Sequence, residues 1–323
     1  MTPARVLVTG GGGRLGRSVV RGFAEAGLEV VSADTTLPEG APATEQLVRT
    51  KGVEHRVADL TDRDASYALL EQVRPEAVVN LAAIAVPFSA PEEQILRTNV
   101  AIAHHVCGAA VAAGARDVVV ASSPTVLGYG APGWLPPRFP LDESTPARPW
   151  HAYGLSKLVA EQVAAMYAAA QGDRRDAVRF ASFRPCYVIA PEEWAGAPTQ
   201  QGHTVHERLA DPALSAPALF NYVDARDVTD FLLVLLEHGR SGKVPNGDTF
   251  FVGAADALAR RPLADLIPEL VPGPEQLAEL AAPLTGTAPA FSSAKAERLL
   301  GWRPRRTWRE ELVVDAAQVG GSR

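Results

Sequence analysis

A strand, a glycine turn and a helix open the chain in immediate succession, and strand-then-helix recurs through its first half; no other feature restricts the fold as much. Arg5-Val-Leu-Val-Thr9 is a short apolar run, Gly10-Gly-Gly-Gly-Arg-Leu-Gly16 is the turn, and Ser18 to Ala26 carries apolar residues at helical spacing. Further apolar runs span Leu28–Ala33, ending at Asp34, and Val53–Ala58, leading to Asp59-Leu60. Ala77–Leu81 leads to Ala82-Ala83, Asp117–Ala121 to Ser122-Ser123, and Ala177–Phe183 to Arg184-Pro185. Helical patterns over Arg63–Val73, Glu92–Ala113 and Tyr153–Ala170 lie between most of them. Short apolar strands alternating with helices predict an α/β fold, a Rossmann-type doubly wound parallel sheet. Ligands of such sheets bind beyond the carboxyl ends of the strands, where Asp34, Asp59, Ala82, Ser123 and Arg184 fall.

The glycine turn has the context of a nucleotide cradle. Glycines let the backbone turn tightly and approach a pyrophosphate, whose charge sits against the free N–H groups at the start of the helix. Asp34 follows Gly16 at the end of the next strand, where a carboxylate accepts hydrogen bonds from ribose hydroxyls and repels a 2′-phosphate. Thr35 and Thr36 come next rather than an arginine, so NAD is favoured over NADP, with Arg14 inside the loop as the one cation against that preference.

Tyr153 and Lys157, in His151-Ala-Tyr-Gly-Leu-Ser-Lys157, are one helical turn apart, so a phenol and an ammonium can face one cleft. The chain has only Lys51, Lys157, Lys243 and Lys295 from which such a pair can be drawn. A free phenol titrates near 10, and lowering it by about three units takes roughly 4 kcal/mol of phenolate stabilisation, within reach of a nearby ammonium and a cofactor cation. The spacing therefore fits a proton-transferring tyrosine.

Composition narrows the alternatives. The 323 residues are 47% hydrophobic and 21% charged, the balance of an ordinary globular enzyme. The 31 basic and 37 acidic residues give a net charge of −6 with no basic block, so no nucleic-acid partner is expected. No apolar run approaches the roughly 20 residues of a membrane span, so no membrane association is expected. The N-terminus runs straight into a strand pattern and lacks a secretory core, and Cys107 and Cys186 are far apart, which suggests a reducing cytoplasm. His104-His105 and His203-x-x-His206 have no ligand set beside them, so no metal is expected.

Together these segments resemble the extended short-chain dehydrogenase/reductase family, the NAD-dependent epimerase/dehydratase type, over nearly the whole chain. Its Thr-Gly-x-x-Gly-x-x-Gly loop is similar to Thr9–Gly16, its Asp-Leu beside the adenine to Asp59-Leu60, and its Asn-x-Ala-Ala strand end to Asn80–Ala83. Asn99 resembles its helix asparagine, Ser122–Gly128 its Ser-Ser-x-x-Val-Tyr-Gly segment, and Ser292–Trp302 its C-terminal signature. The resemblance implies that Tyr153 is the acid/base, that Lys157 holds the nicotinamide ribose and depresses the tyrosine pKa, and that Ser123 rather than Ser122 bonds the reacting oxygen. It implies cofactor contacts at Gly10, Gly13, Arg14, Leu15, Gly16, Asp34, Asp59, Leu60, Leu81, Ala82, Ala83, Asn99, Lys157 and Pro185. It implies substrate contacts at Ser123, Pro124, Thr125, Tyr153, Trp194 and His203, and a homodimer through the helices at 92–113 and 153–170.

Departures from the family pattern narrow the activity. Ser122-Ser123-Pro124 replaces the Thr-Asp-Glu of the dehydratase branch, so elimination of water is disfavoured. Phe220 stands where nucleotide-sugar members carry a diphosphate-gripping arginine, and Leu127 replaces the common tyrosine of Val-Tyr-Gly. Trp134, in a proline-rich loop, is read as either a lid residue or a packed anchor, and the turn at Pro140–Pro146 as structural. The leading expectation is hydride transfer between NAD and a hydroxyl or carbonyl carbon of a small polar, sugar-like molecule. Epimerisation through transient oxidation at the same site is the alternative, and a non-catalytic NAD-sensing protein a third reading. An NAD-binding domain of residues 1–184 with 219–252 and a smaller substrate lobe of 185–218 with 253–323 are expected.

Overall fold

The computed structural model describes residues 4–39, 47–172, 174, 177–238 and 243–312; the ends of the expected domains, 1–3 and 313–323, lie outside the described residues. Its ten strands are β1 (Arg5–Thr9), β2 (Glu29–Asp34), β3 (Leu47–Thr50), β4 (Val53–Val57), β5 (Ala77–Asn80), β6 (Asp117–Ala121), β7 (Arg179–Pro185), β8 (Val188–Ile189), β9 (Val223–Asp224) and β10 (Asp248–Val252). The helices are α1 (Arg14–Glu25), α2 (Arg63–Val73), α3 (Glu92–Ala112), α4 (Ala152–Gln171), α5 (Pro191–Trp194), α6 (Val205–Ala210), α7 (Ala225–His238), α8 (Leu263–Leu270), α9 (Gln276–Ala281) and α10 (Ala294–Leu300). Residues 1–126, 149–184 and 229–250 form one compact unit; 127–148, 185–228 and 251–323 form another.

The first unit is built on an eight-stranded sheet in the order β10-β7-β6-β5-β1-β2-β4-β3. Parallel pairing runs from β7 through β4, with Val8 of β1 opposite Ser32 of β2 and Val79 of β5. Strands covered on both faces must be apolar on both, which is why β1 and β5 read as continuous Val and Leu runs. Because side chains alternate, Leu7, Val31, Val78, Val118 and Val120 share one face, where α2, α3 and α4 cover them with Leu69, Leu70, Val106 and Ala164. Fully burying each such valine or leucine contributes about 1.5–3 kcal/mol. Helices α1 and α7 meet at Gly22, where a Cβ would lie 2.6 Å from Thr229 Cγ2. Asp62 caps α2 through the Ala65 amide at 2.9 Å.

The edge strand β3 runs antiparallel to β4, and the four residues of its pairing gave no alternation strong enough to read from sequence. In the second unit β8 and β9 make a two-residue parallel pair, below the length at which periodicity exists. Its core gathers Ile189, Trp194, Val205, Leu209, Tyr222, Leu258 and Trp308. The reading of Pro140–Pro146 as structural agrees with its bonds: the Glu143 carboxylate accepts the Phe251 amide at 2.7 Å. Among the described residues no helix is long and apolar enough to cross a membrane.

Candidate active site

The glycine turn folds back on the end of β5. Gly10 has φ +68°, and a Cβ there would lie 2.8 Å from the Ala82 amide nitrogen, so only glycine fits. Gly16 lets α1 approach the turn, since its Cβ would stand 2.1 Å from the Gly10 carbonyl oxygen. Helix α1 starts at Gly13 without a side-chain cap, and its first turn carries no acid, which leaves the positive end of its dipole open toward the turn. Asp34, half-buried at the end of β2, accepts the Gly12 amide at 2.9 Å and the Thr35 amide at 2.7 Å. Thr9 and Asn80 bond across the ends of β1 and β5 at 2.6 Å, and Leu81, Ala82 and Ala83 continue beyond them, partly exposed. A backbone cradle with an open helix end and a carboxylate on the neighbouring strand fits a dinucleotide: Gly10, Gly13, Arg14, Leu15 and Gly16 would border its pyrophosphate and Asp34 its adenosine ribose.

Asp59 is exposed and closes a turn on Thr61, whose amide and hydroxyl hold its carboxyl below the usual range. Leu60 beside it is buried. Asn99 reaches from α3 to the loop after β5: its Oδ1 accepts the Ile84 amide at 2.8 Å, while its Nδ2 donates to the Ile84 carbonyl at 3.1 Å and to Ser156 Oγ at 3.0 Å. Ser156 in turn donates to the Tyr153 carbonyl at 2.8 Å. The loop and α4 are thereby tied through one amide side chain.

Tyr153 and Lys157 both sit in the first two turns of α4 and are both buried. The Lys157 ammonium donates to the Ala121 carbonyl at the end of β6 at 3.0 Å and lies 5.8 Å from the centre of the Tyr153 ring. Burial lowers its pKa to about 8. Burial also pushes Tyr153 up to about 12, against a hydrogen bond with Ser123 that pulls the other way. In this structure the ammonium bonds a backbone carbonyl, and burial keeps the Tyr153 phenol protonated at neutral pH.

The two serines after β6 have separate partners. Ser122 Oγ donates to Glu161 Oε1 at 2.5 Å, and the same carboxylate takes two bonds from Arg184, at 2.7 and 2.9 Å, in a buried pair. Ser123 Oγ accepts from Thr125 Oγ1 at 2.9 Å and from the Thr125 amide at 3.2 Å, so its own proton is directed elsewhere. Thr125 and Pro124 belong to the 3₁₀ turn Pro124–Leu127 that fixes Ser123. Glu161 was missed in the sequence, although its place four residues after Lys157 puts both on one helix face.

Five further residues singled out in the sequence belong to the second unit. Pro185 ends β7, half-buried. Trp194, expected to meet substrate, belongs to the second unit's core, its indole N–H donating to Asp224 Oδ2 at 2.7 Å. That bond satisfies its only donor, and the side chain is buried. His203 is exposed, on the turn where its carbonyl accepts the Thr199 amide at 2.9 Å. Trp134 is a packed anchor, its indole donating to the Leu127 carbonyl at 3.0 Å. Phe220 is buried with φ +56°, so no cation occupies that position.

The sequence profile of the NAD dependent epimerase/dehydratase family matches residues 6–253. The chain belongs to that family and is an NAD-dependent enzyme of the extended short-chain dehydrogenase/reductase type. It is 31% identical to a dTDP-6-deoxy-L-talose 4-dehydrogenase (NAD(P)(+)) of Kitasatospora kifunensis over 96% of this chain and 94% of the relative. It is 28% identical to a UDP-glucose 4-epimerase of Corynebacterium glutamicum over 97% and 94%, and 31% identical to a uronate dehydrogenase of Pseudomonas syringae over 56% and 60%. In fold it is similar to the UDP-glucose-4-epimerase of Stenotrophomonas maltophila, solved with NAD and formylated UDP-arabinopyranose, with TM-score 0.68, 21% identity and coverage of 99% and 100%.

Proposed function

We propose that this protein oxidises a secondary hydroxyl, or reduces the matching carbonyl, on a small sugar-like molecule, with Tyr153 as acid/base and Ser123 as the second hydrogen-bond donor. The observation that carries the reading is the buried Tyr153–Ser123 pair with Lys157 one turn away, beside a cradle that fits a dinucleotide. Bound NAD supplies the carbon that accepts or returns hydride. The chain's own part is proton control. In reduction the neutral Tyr153 phenol donates to the developing alkoxide, while Ser123, its oxygen already filled by Thr125, turns its proton toward the same oxygen. In oxidation Tyr153 must first lose its proton, which a charged Lys157 assists.

The K. kifunensis relative supports net oxidation over most of the chain's length, and the buried Phe220 supports a substrate without a diphosphate. Epimerisation is the second reading, favoured by the C. glutamicum relative, and it requires the same Tyr153. The partner is a small molecule. Leu155 and Met166, exposed apolar residues on α4, support a homodimer through α3 and α4, and two buried cysteines not joined to each other suit a cytoplasmic setting.

The test is to follow the absorbance of reduced NAD with a panel of sugars, sugar acids and hydroxyketones. Substrate-dependent reduction of NAD is expected; product formation without net absorbance change would move the assignment to epimerisation. Tyr153→Phe should lower kcat by at least 10²-fold while NAD binding stays within twofold, and retained turnover would refute the acid/base. With the phenol held near 12, the sign of the pH dependence is fixed: oxidation needs the phenolate and rises with pH, whereas reduction uses the phenol and falls as pH climbs through that range.

A further inference from the structure

Helix α4 begins on a histidine. His151 occupies the N-cap position with extended backbone, and its Nδ1 accepts the Gly154 amide at 3.0 Å. Serine, threonine, aspartate and asparagine usually fill this position, and their oxygens go on accepting through the neutral and mildly acidic range. An imidazole nitrogen accepts only while its lone pair is free, so this bond requires the neutral ring with its proton on Nε2. The ring also lies nearly parallel to that of Tyr153, with centres 6.2 Å apart and 17° between planes. Gly154 packs closely: a Cβ there would stand 3.0 Å from the Thr125 carbonyl oxygen, at the turn that fixes Ser123.

We propose that His151 is a positioning residue for Tyr153, and that protonating it uncaps α4, loosens the turn that carries the phenol and shuts turnover down at acidic pH. The proposal rests on Tyr153 being the acid/base. A proton on Nδ1 would set one donor against another, the imidazolium N–H facing the Gly154 N–H, so the bond is replaced by repulsion. Among the described residues, the titratable groups facing His151 are Glu92 of α3 and Tyr153 itself. The Glu92 carboxylate accepts the Ala152 amide at 2.5 Å and favours the imidazolium. Phe88, Pro149 and Trp150 complete its surroundings without charge. Burial outweighs Glu92 and moves the ring below its ordinary range of about 6.5. The sign follows: an unfolded chain takes up this proton first, so the cap's contribution is complete above that range and is lost as pH falls through the folded value.

The test compares wild type, His151→Asn and His151→Ala by kcat against pH, with thermal midpoints over the same range. His151→Asn should match wild type at neutral pH, because an amide oxygen restores the cap, and should hold its rate where the wild type declines. His151→Ala should be slower than both wild type and His151→Asn at neutral pH, with the KM for NAD within twofold. An acidic decline identical in wild type and His151→Asn would overturn the proposal, as would an asparagine variant as slow as the alanine one at neutral pH. The midpoint of His151→Asn should rise relative to wild type as pH falls. That measurement reads the cap without turnover, so it separates failure of the cap from failure of Tyr153 as acid/base, which Tyr153→Phe decides.

Discussion

In the first unit the strands bury Val6, Leu7 and Val8 completely, whereas in the second the largest fully buried side chain is a guanidinium, Arg208. Arg208 is satisfied by neutral oxygens: Thr199 Oγ1 at 3.3 Å, the Leu214 carbonyl at 3.0 Å, the Tyr187 hydroxyl at 3.4 Å and the Gln201 amide oxygen, with the Tyr187 ring beneath it at 4.5 Å. In the same unit Asp224 pairs with Arg226, Arg226 with Glu311, Asp227 with Arg306, and Asp256 with both Tyr222 and Arg309. Burying apolar surface is non-directional and tolerates many neighbours. Burying charge demands one partner in one geometry and is costly when that partner is removed. The first unit is thus specified mainly by a pattern, with the Glu161–Arg184 pair as its buried exception, and the second by several particular pairs.

The largest effect should come from breaking a pair in the second unit. Asp227→Ala would remove the acceptor shared by the Arg306 guanidinium and the Arg305 and Arg306 amides, bonded to it at 2.6, 3.0 and 2.9 Å. A loss of about 3–5 kcal/mol is expected in chemical denaturation. Leu70→Ala, beneath the sheet of the first unit, should cost about 2–4 kcal/mol through the cavity it leaves. If it cost more than Asp227→Ala, the contrast between the units would collapse. The smallest effect belongs to Asp62→Ala, which removes only the α2 cap: about 1 kcal/mol by thermal unfolding, with kcat unchanged.

The same contrast explains what could be read in advance. The parallel strands and the helices α2, α3 and α4 were legible because their apolar periodicity is local. The glycine cradle was legible because Gly10 and Gly16 answer a backbone need that no other residue meets. Tyr153 and Lys157 stood out through one-turn spacing, and Ser123 through its place after a strand. Glu161 and Arg184 did not, since their bond crosses from helix to strand over 23 residues. The burial of Trp194 was not legible for a similar reason: the acceptor of its indole lies 30 residues away, and nothing local distinguishes a core tryptophan from a ligand-facing one. The cap at His151 was in plain view two residues before the tyrosine, but histidine is not among the usual capping residues.

Asn99 has a consequence for how the chain can vary in length. By gripping Ile84 on both its amide and its carbonyl while holding Ser156, it sets the separation of the β5 loop and α4 at one point and leaves the rest of the loop out of that measurement. Residues between Pro87 and Pro91 lie beyond the grip, on the exposed side where Phe88 already adopts φ +61°. Changes of length there would alter the surface the loop presents while the grip holds its first four residues, and their reach is bounded by Phe88, whose ring meets those of Trp150 and His151.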